Sequence, residues 1–116
     1  MKDDRLYLIH IVESVRRIAS YAKGGRAQFM QSSLTQDAII RNFEIIGEAA
    51  KQISPGLKQA YPDVLWRSVA GFRDVLIHQY TGVDLDEVWN IIEHALPDLR
   101  RHIDSILSSL GDRPPQ

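Results

Sequence analysis

The sequence has no cysteine. That excludes disulfides, thiolate metal sites, iron–sulfur clusters and a cysteine nucleophile. It also lacks an excess of either charge: 14 Lys and Arg against 15 Asp and Glu leave a net charge of −1. No global basic field exists to draw in nucleic acid, so any such binding must use a local patch. No apolar run approaches the ~18 residues of a membrane-spanning helix. The opening MKDDRLYLIHIVE places two acids before its apolar residues, unlike a signal or transit peptide. The expected location is therefore cytoplasmic, with no membrane contact. A phosphate-binding P-loop, a dinucleotide fingerprint, a zinc-protease HExxH and a serine nucleophile elbow are all missing. His94 and His102 are eight residues apart, which does not suit one ion, and no metal role is expected for them or for His10. No cofactor is expected.

What is present is helical periodicity. The 116 residues, 44% apolar and 25% charged, make one domain able to bury a core without staples. Leu8, Ile11, Val12, Val15, Ile18, Ala19 and Ala22 form one stripe at three- and four-residue spacing. Gly24 and Gly25 end that pattern, and the polar stretch from Arg26 to Ser33 reads as a loop. A second helix is expected from about Thr35, capped by Thr35 or Asp37. Its seam is Ile39, Phe43, Ile46, Ala50 and Ile53, with Ala38, Ile45 and Ala49 as a second apolar face, so it should be central. Gly47 in its middle costs about 1 kcal/mol of propensity and suggests close approach of a neighbour. Ser54, Pro55 and Gly56 are read as its end.

A third helical region is expected from Tyr61-Pro62-Asp63, since proline suits a first turn. Its core candidates are Val64, Leu65, Val69, Phe72, Val75, Leu76 and Ile77, with Gly71 dividing a short helix from a longer one that exits at Tyr80 to Gly82. A fourth helix from Asp84 to Leu110 carries Val88, Ile92, Ala95, Leu99, Ile103, Ile106 and Leu110. Asp84, Asp86 and Glu87 complement its dipole, and Pro97 should kink it. The expectation is an all-α, antiparallel up-and-down bundle of four main helices, with room for a fifth short one. It forms a single domain over residues 1–110, followed by a flexible tail over 111–116.

One segment carries chemistry. Between Gly71 and Tyr80 an apolar helix is punctuated by Arg73, Asp74, His78 and Tyr80. Asp74 and His78 are i,i+4 neighbours, so the carboxylate can fix the imidazole tautomer. Arg73 and Tyr80 lie two turns apart on nearly one meridian. These parts suit metal-independent RNA cleavage. A base takes the 2′-OH proton, a guanidinium holds two phosphate oxygens, and an acid protonates the leaving 5′-oxygen. One chain supplies one such histidine, and a two-fold dimer would supply two. From residue types alone, a structural polar cluster at a helix end or a solvated face remains the other reading.

The spacing Arg73-x4-His78-x-Tyr80 resembles the RX4HXY motif of HepT-like proteins in the HEPN superfamily. Asn42 to Ala50 looks like that family's second-helix signature around IGEA; Trp66 resembles its tryptophan ahead of the motif, and Val88-Trp89 and Leu96-Pro97 its last helix. The resemblance spans Asp4 to about Leu110. It implies an all-α bundle that dimerises and acts as a metal-independent endoribonuclease toxin. Arg73 and His78 would be catalytic, with Asp74 the polar residue after the arginine. The implied partner is a cognate MNT-type nucleotidyltransferase antitoxin, which would transfer AMP to Tyr80. The added nucleotide and its negative charge would then oppose the RNA phosphate. Glu48 on helix two could hold Arg73 by an ion pair. Trp66 and Phe72 are read as core or interface aromatics more than base stackers, and Arg16-Arg17 and Arg100-Arg101 as solvated faces. Two other readings stand beside the enzyme: a non-catalytic HEPN module that docks a nucleotidyltransferase or a nucleotide, and a purely structural adaptor.

Overall fold

The computed structural model describes residues 3–72 and 84–111. Among them the chain is all-helical. Helix α1 spans Asp4–Tyr21, α2 Gly25–Gln31, α3 Ser33–Gln52, α4 Pro55–Ala60, α5 Trp66–Ala70, α6 Leu85–His94 and α7 Leu96–Gly111, with a short 3₁₀ turn over Ala22–Gly24. The long helices α1, α3 and α7 are the body of the bundle: α1 packs on α3 and α7, α5 on α3, and α6 on α7.

Helix α1 begins where the Asp3 side chain accepts from the Leu6 amide, satisfying one of the donors a helix start leaves open. Its predicted stripe is buried at Leu8, Ile11, Val12, Val15 and Ile18, whereas Ala19 is exposed. Gly25 turns the chain with φ 89°, a left-handed value that favours glycine.

The stretch after it is not a loop. Residues Gly25–Gln31 form a helix because Phe29 supplies an apolar anchor. It is fully buried, and its ring lies 5.4 Å from Trp89 of α6. Gln36 Nε2 donates to the Phe29 and Met30 carbonyls at 2.9 and 3.2 Å, tying the last turn of α2 to α3. Arg26 pairs with Asp86 of α6, an exposed contact of little energetic weight.

Helix α3 starts earlier than expected. Ser32, not Thr35 or Asp37, is the cap, its Oγ accepting from the Thr35 amide at 3.1 Å. The predicted seam Ile39, Phe43, Ile46, Ala50 and Ile53 is buried, as are Asn42, Gly47 and Ala49. Helix α3 stops at Gln52, just before Ser54-Pro55-Gly56 as expected, but Ser54 also caps a further short helix, α4. Its Oγ accepts from the Leu57 amide, with proline in the first turn. The Ser54 amide and hydroxyl also donate to the two Asp4 carboxylate oxygens at 2.8 and 2.5 Å. This contact joins the start of α1 to the end of α3, so the two helices run antiparallel.

The third region also departs from expectation. Tyr61 to Leu65 form a turn, and the helix starts only at Trp66. Leu65, expected in the core, is 70% exposed, while Val64, Trp66, Val69 and Phe72 are buried. The helix expected over Asp84 to Leu110 is broken at Ala95 into α6 and α7. Pro97 explains the break: it has no N–H for the Glu93 carbonyl, and its ring crowds that carbonyl. The chain re-enters helix with Leu99 donating to Ala95 at 3.0 Å. Asp84 caps α6 through the Glu87 amide at 3.1 Å. The tail over 112–116 lies outside the described residues. Among the described residues no helix is long and apolar enough to cross a membrane.

Candidate functional site

Arg73, Asp74, His78 and Tyr80 lie outside the described residues. Their surroundings do not. The chain reaches Arg73 through α5, whose entry is fixed by Trp66: the ring is buried and its Nε1 donates to the Tyr61 carbonyl at 3.0 Å. A buried indole with its N–H satisfied is a structural post, not a free base-stacking platform. Gly71 closes the helix, its amide donating to the Arg67 carbonyl at 2.9 Å. A side-chain carbon there would approach the Arg67 and Ser68 carbonyl oxygens at 3.3 and 3.4 Å, so glycine fits the tight exit.

Phe72, the residue before Arg73, is buried against α3. Its ring meets Phe43 edge-on, centroids 5.4 Å apart and planes at 89°. Edge-to-face geometry puts the positive rim of one ring over the negative face of the other. Phe72, the last described residue before the motif, is therefore held on α3. On the far side Asp84 begins α6, so both flanks of the motif are fixed by helix ends.

Glu48 is on α3, five residues beyond Phe43, and has an interaction partner. It lies on the wall of a cleft between α1 and α3. The ion pair expected between Glu48 and Arg73 lies outside the described residues, because Arg73 does. The basic pairs read as solvated faces are exposed. Arg100 pairs with Asp104 at 3.7 Å, and Arg101 pairs with Asp98 of its own helix. Such locally neutralised arginines are poor phosphate tracks. His10 and His94 are exposed and His102 half-buried. Among the described residues no group of three or more His, Cys, Asp or Glu is placed to hold a metal ion.

The described helices form an all-α bundle, a fold shared with a known toxin. A Shewanella oneidensis HEPN toxin, tri-AMPylated and in complex with an MNT antitoxin, superimposes with a TM-score of 0.66 over 93% of this chain and 99% of that one, at 22% identity. The chain belongs to the ribonuclease HepT-like family, whose profile matches residues 11–106. Relatives agree. A Methanocaldococcus jannaschii protein named as a gamma-glutamylcyclotransferase and candidate RNase is 39% identical over 94% of this chain, which spans 50% of its length. The probable ribonuclease HepT of Thermococcus cleftensis is 38% identical over 81% of this chain and 86% of its own.

Proposed function

We propose that the chain is a metal-independent endoribonuclease toxin acting through Arg73 and His78 in a groove shared by two copies. The observation that carries this is the Arg73-x4-His78-x-Tyr80 spacing inside a chain matched to the HepT-like ribonuclease family over residues 11–106. The chemistry is transesterification. His78 of one copy takes the 2′-OH proton, and the freed oxygen attacks phosphorus. Arg73 holds the charge that grows on the phosphoryl oxygens. The bond to the 5′-oxygen breaks, and the second copy's imidazole returns a proton to it. Asp74, one turn from His78, sets the tautomer, and Glu48 fixes the guanidinium. Burial of Phe72 on Phe43 supports this arrangement, since it holds the chain one residue ahead of the arginine.

Control follows from Tyr80. A partner nucleotidyltransferase places AMP on its phenol: the Tyr80 oxygen attacks the α-phosphorus of a nucleoside triphosphate, pyrophosphate leaves, and the phenol proton passes to solvent. The new phosphodiester charge competes for Arg73 and repels RNA. The S. oneidensis HEPN toxin, solved tri-AMPylated with its MNT antitoxin, supports this reading by shared fold.

The test is induced expression in a host cell of wild type beside His78→Ala, each with and without a cognate MNT-type nucleotidyltransferase. Growth arrest by wild type alone, relieved by the partner and absent in His78→Ala, is the expected pattern. Equal arrest by both proteins would remove the catalytic role. The net charge of −1 favours a second reading, a non-catalytic module that docks the nucleotidyltransferase, because a free nuclease gains from a basic surface. A stable complex with no RNA turnover by the free chain would select it.

A further inference from the structure

A cleft of about 390 Å³ lies between α1 and α3, within the size range of small-ligand pockets. Its two walls are built alike, from i,i+3 neighbours on one helix face. On α1, Tyr7 and His10 meet edge-on, centroids 6.3 Å apart at 83°, giving an aromatic wall. On α3, Arg41, Glu44 and Glu48 give a charged wall, Glu48 already having a partner of its own, with Gln52 two turns beyond Glu44. Arg41 and Glu44 have the spacing of an ion pair yet do not form one. Among the described residues neither they nor His10 make a side-chain hydrogen bond or salt bridge. On α7, by contrast, Arg101 pairs with Asp98 at that same i,i+3 spacing, and Arg100 with Asp104 at i,i+4. Glu44 is half-buried, with its carboxylate open to solvent, so its oxygens can accept from a ligand that enters the cleft.

The chemistry of the walls selects the ligand. A flat aromatic face stacks a nucleobase, and a guanidinium holds a phosphate. A carboxylate accepts only, through two oxygens. Of the four RNA bases, guanine alone presents two adjacent N–H donors on its Watson–Crick edge, the edge that unpaired RNA leaves open. Glu44 follows Phe43, the residue that touches Phe72, so the cleft and the approach to Arg73 share one turn of α3.

We propose that this cleft is a guanine subsite for single-stranded RNA, with Tyr7 stacking the base, Glu44 accepting from N1–H and the 2-amino group, and Arg41 holding a phosphate. It rests on the ribonuclease reading for its role in cleavage, but its ligand chemistry can be tested without it. Two arms separate the claims. In the first, amide resonances of the wild-type protein are followed while guanosine, adenosine, cytidine and uridine 5′-monophosphates are added in turn. Shifts at Tyr7, His10 and Arg41 to Glu44 strongest with the guanosine nucleotide, and weakened in Glu44→Gln, are expected. Equal response to all four, or none at these residues, overturns the subsite whether or not the protein cuts RNA.

In the second arm, cut ends from a random-sequence RNA pool are sequenced. Wild type should enrich guanine at one fixed position relative to the cut, and Glu44→Gln should flatten it. Tyr7→Ala and Arg41→Ala should raise KM on the order of tenfold with a smaller effect on kcat. An unchanged guanine preference in Glu44→Gln would overturn the proposal while leaving cleavage intact. Absence of any wild-type cleavage would instead count against the ribonuclease reading.

Discussion

Phe72 is where the core hands the chain to the motif, and its edge contact with Phe43 can be measured. Phe72 is 9% exposed and Phe43 1%. Replacing Phe72 by alanine removes a nearly buried ring, at a cost of about 3–5 kcal/mol. With a urea slope of about 2 kcal/mol per molar for a small domain, the unfolding midpoint should fall by roughly 2 M. Phe72→Leu keeps most of the apolar volume and should cost about 1–1.5 kcal/mol. The ring-on-ring part is isolated by a double-mutant cycle with Phe43→Leu, where edge-to-face geometry predicts a coupling of about 0.5–1.5 kcal/mol. RNA cleavage by folded Phe72→Leu should also fall, since Arg73 is the next residue. A coupling near zero, or a midpoint shift below about 0.5 M for Phe72→Ala, would refute the claim that α3 holds the start of the motif.

Three further outcomes follow from the packing. Phe29→Ala should destabilise the fold by about 3–5 kcal/mol in chemical denaturation and change the fluorescence of Trp89, its ring neighbour. Ser54→Ala should cost about 1–2 kcal/mol, because the hydroxyl both caps α4 and donates to Asp4. Leu65→Ser should change thermal stability by less than about 0.5 kcal/mol, since the side chain is mostly in water.

The long periodic helices were legible because their buried residues repeat over many turns. Leu8 to Ile18 and Ile39 to Ile53 are buried nearly as their spacing implies. Helix α2 was not legible, because one phenylalanine in a seven-residue polar stretch gives no period to count; its helicity comes from Trp89, sixty residues away in sequence. Ser54-Pro55 was readable as the stop that follows α3, but not as the start of α4, where Ser54 is held by Asp4 across the bundle. Leu65 has the composition of a core residue, but the turn over Tyr61 to Leu65 points it outward while Val64 and Trp66 point in. Of the candidate site, the motif spacing and the tryptophan ahead of it were readable from sequence. The pairing of Phe72 with Phe43, and the facing of Tyr7 and His10 across a cleft from Arg41 and Glu44, were not. Both depend on the antiparallel register of α1 and α3 and the docking of α5, which no local pattern encodes.

The proposed RNA cleavage uses a guanidinium and an imidazole without a metal. Its most direct measurement is turnover of single-stranded RNA by the purified protein in excess EDTA, beside Arg73→Ala and His78→Ala of matched stability. Cleavage by wild type that leaves 2′,3′-cyclic phosphate ends, with a loss on the order of a hundredfold or more in each variant, is the predicted result. Undiminished cleavage in either variant, or wild-type activity abolished by EDTA, would contradict it.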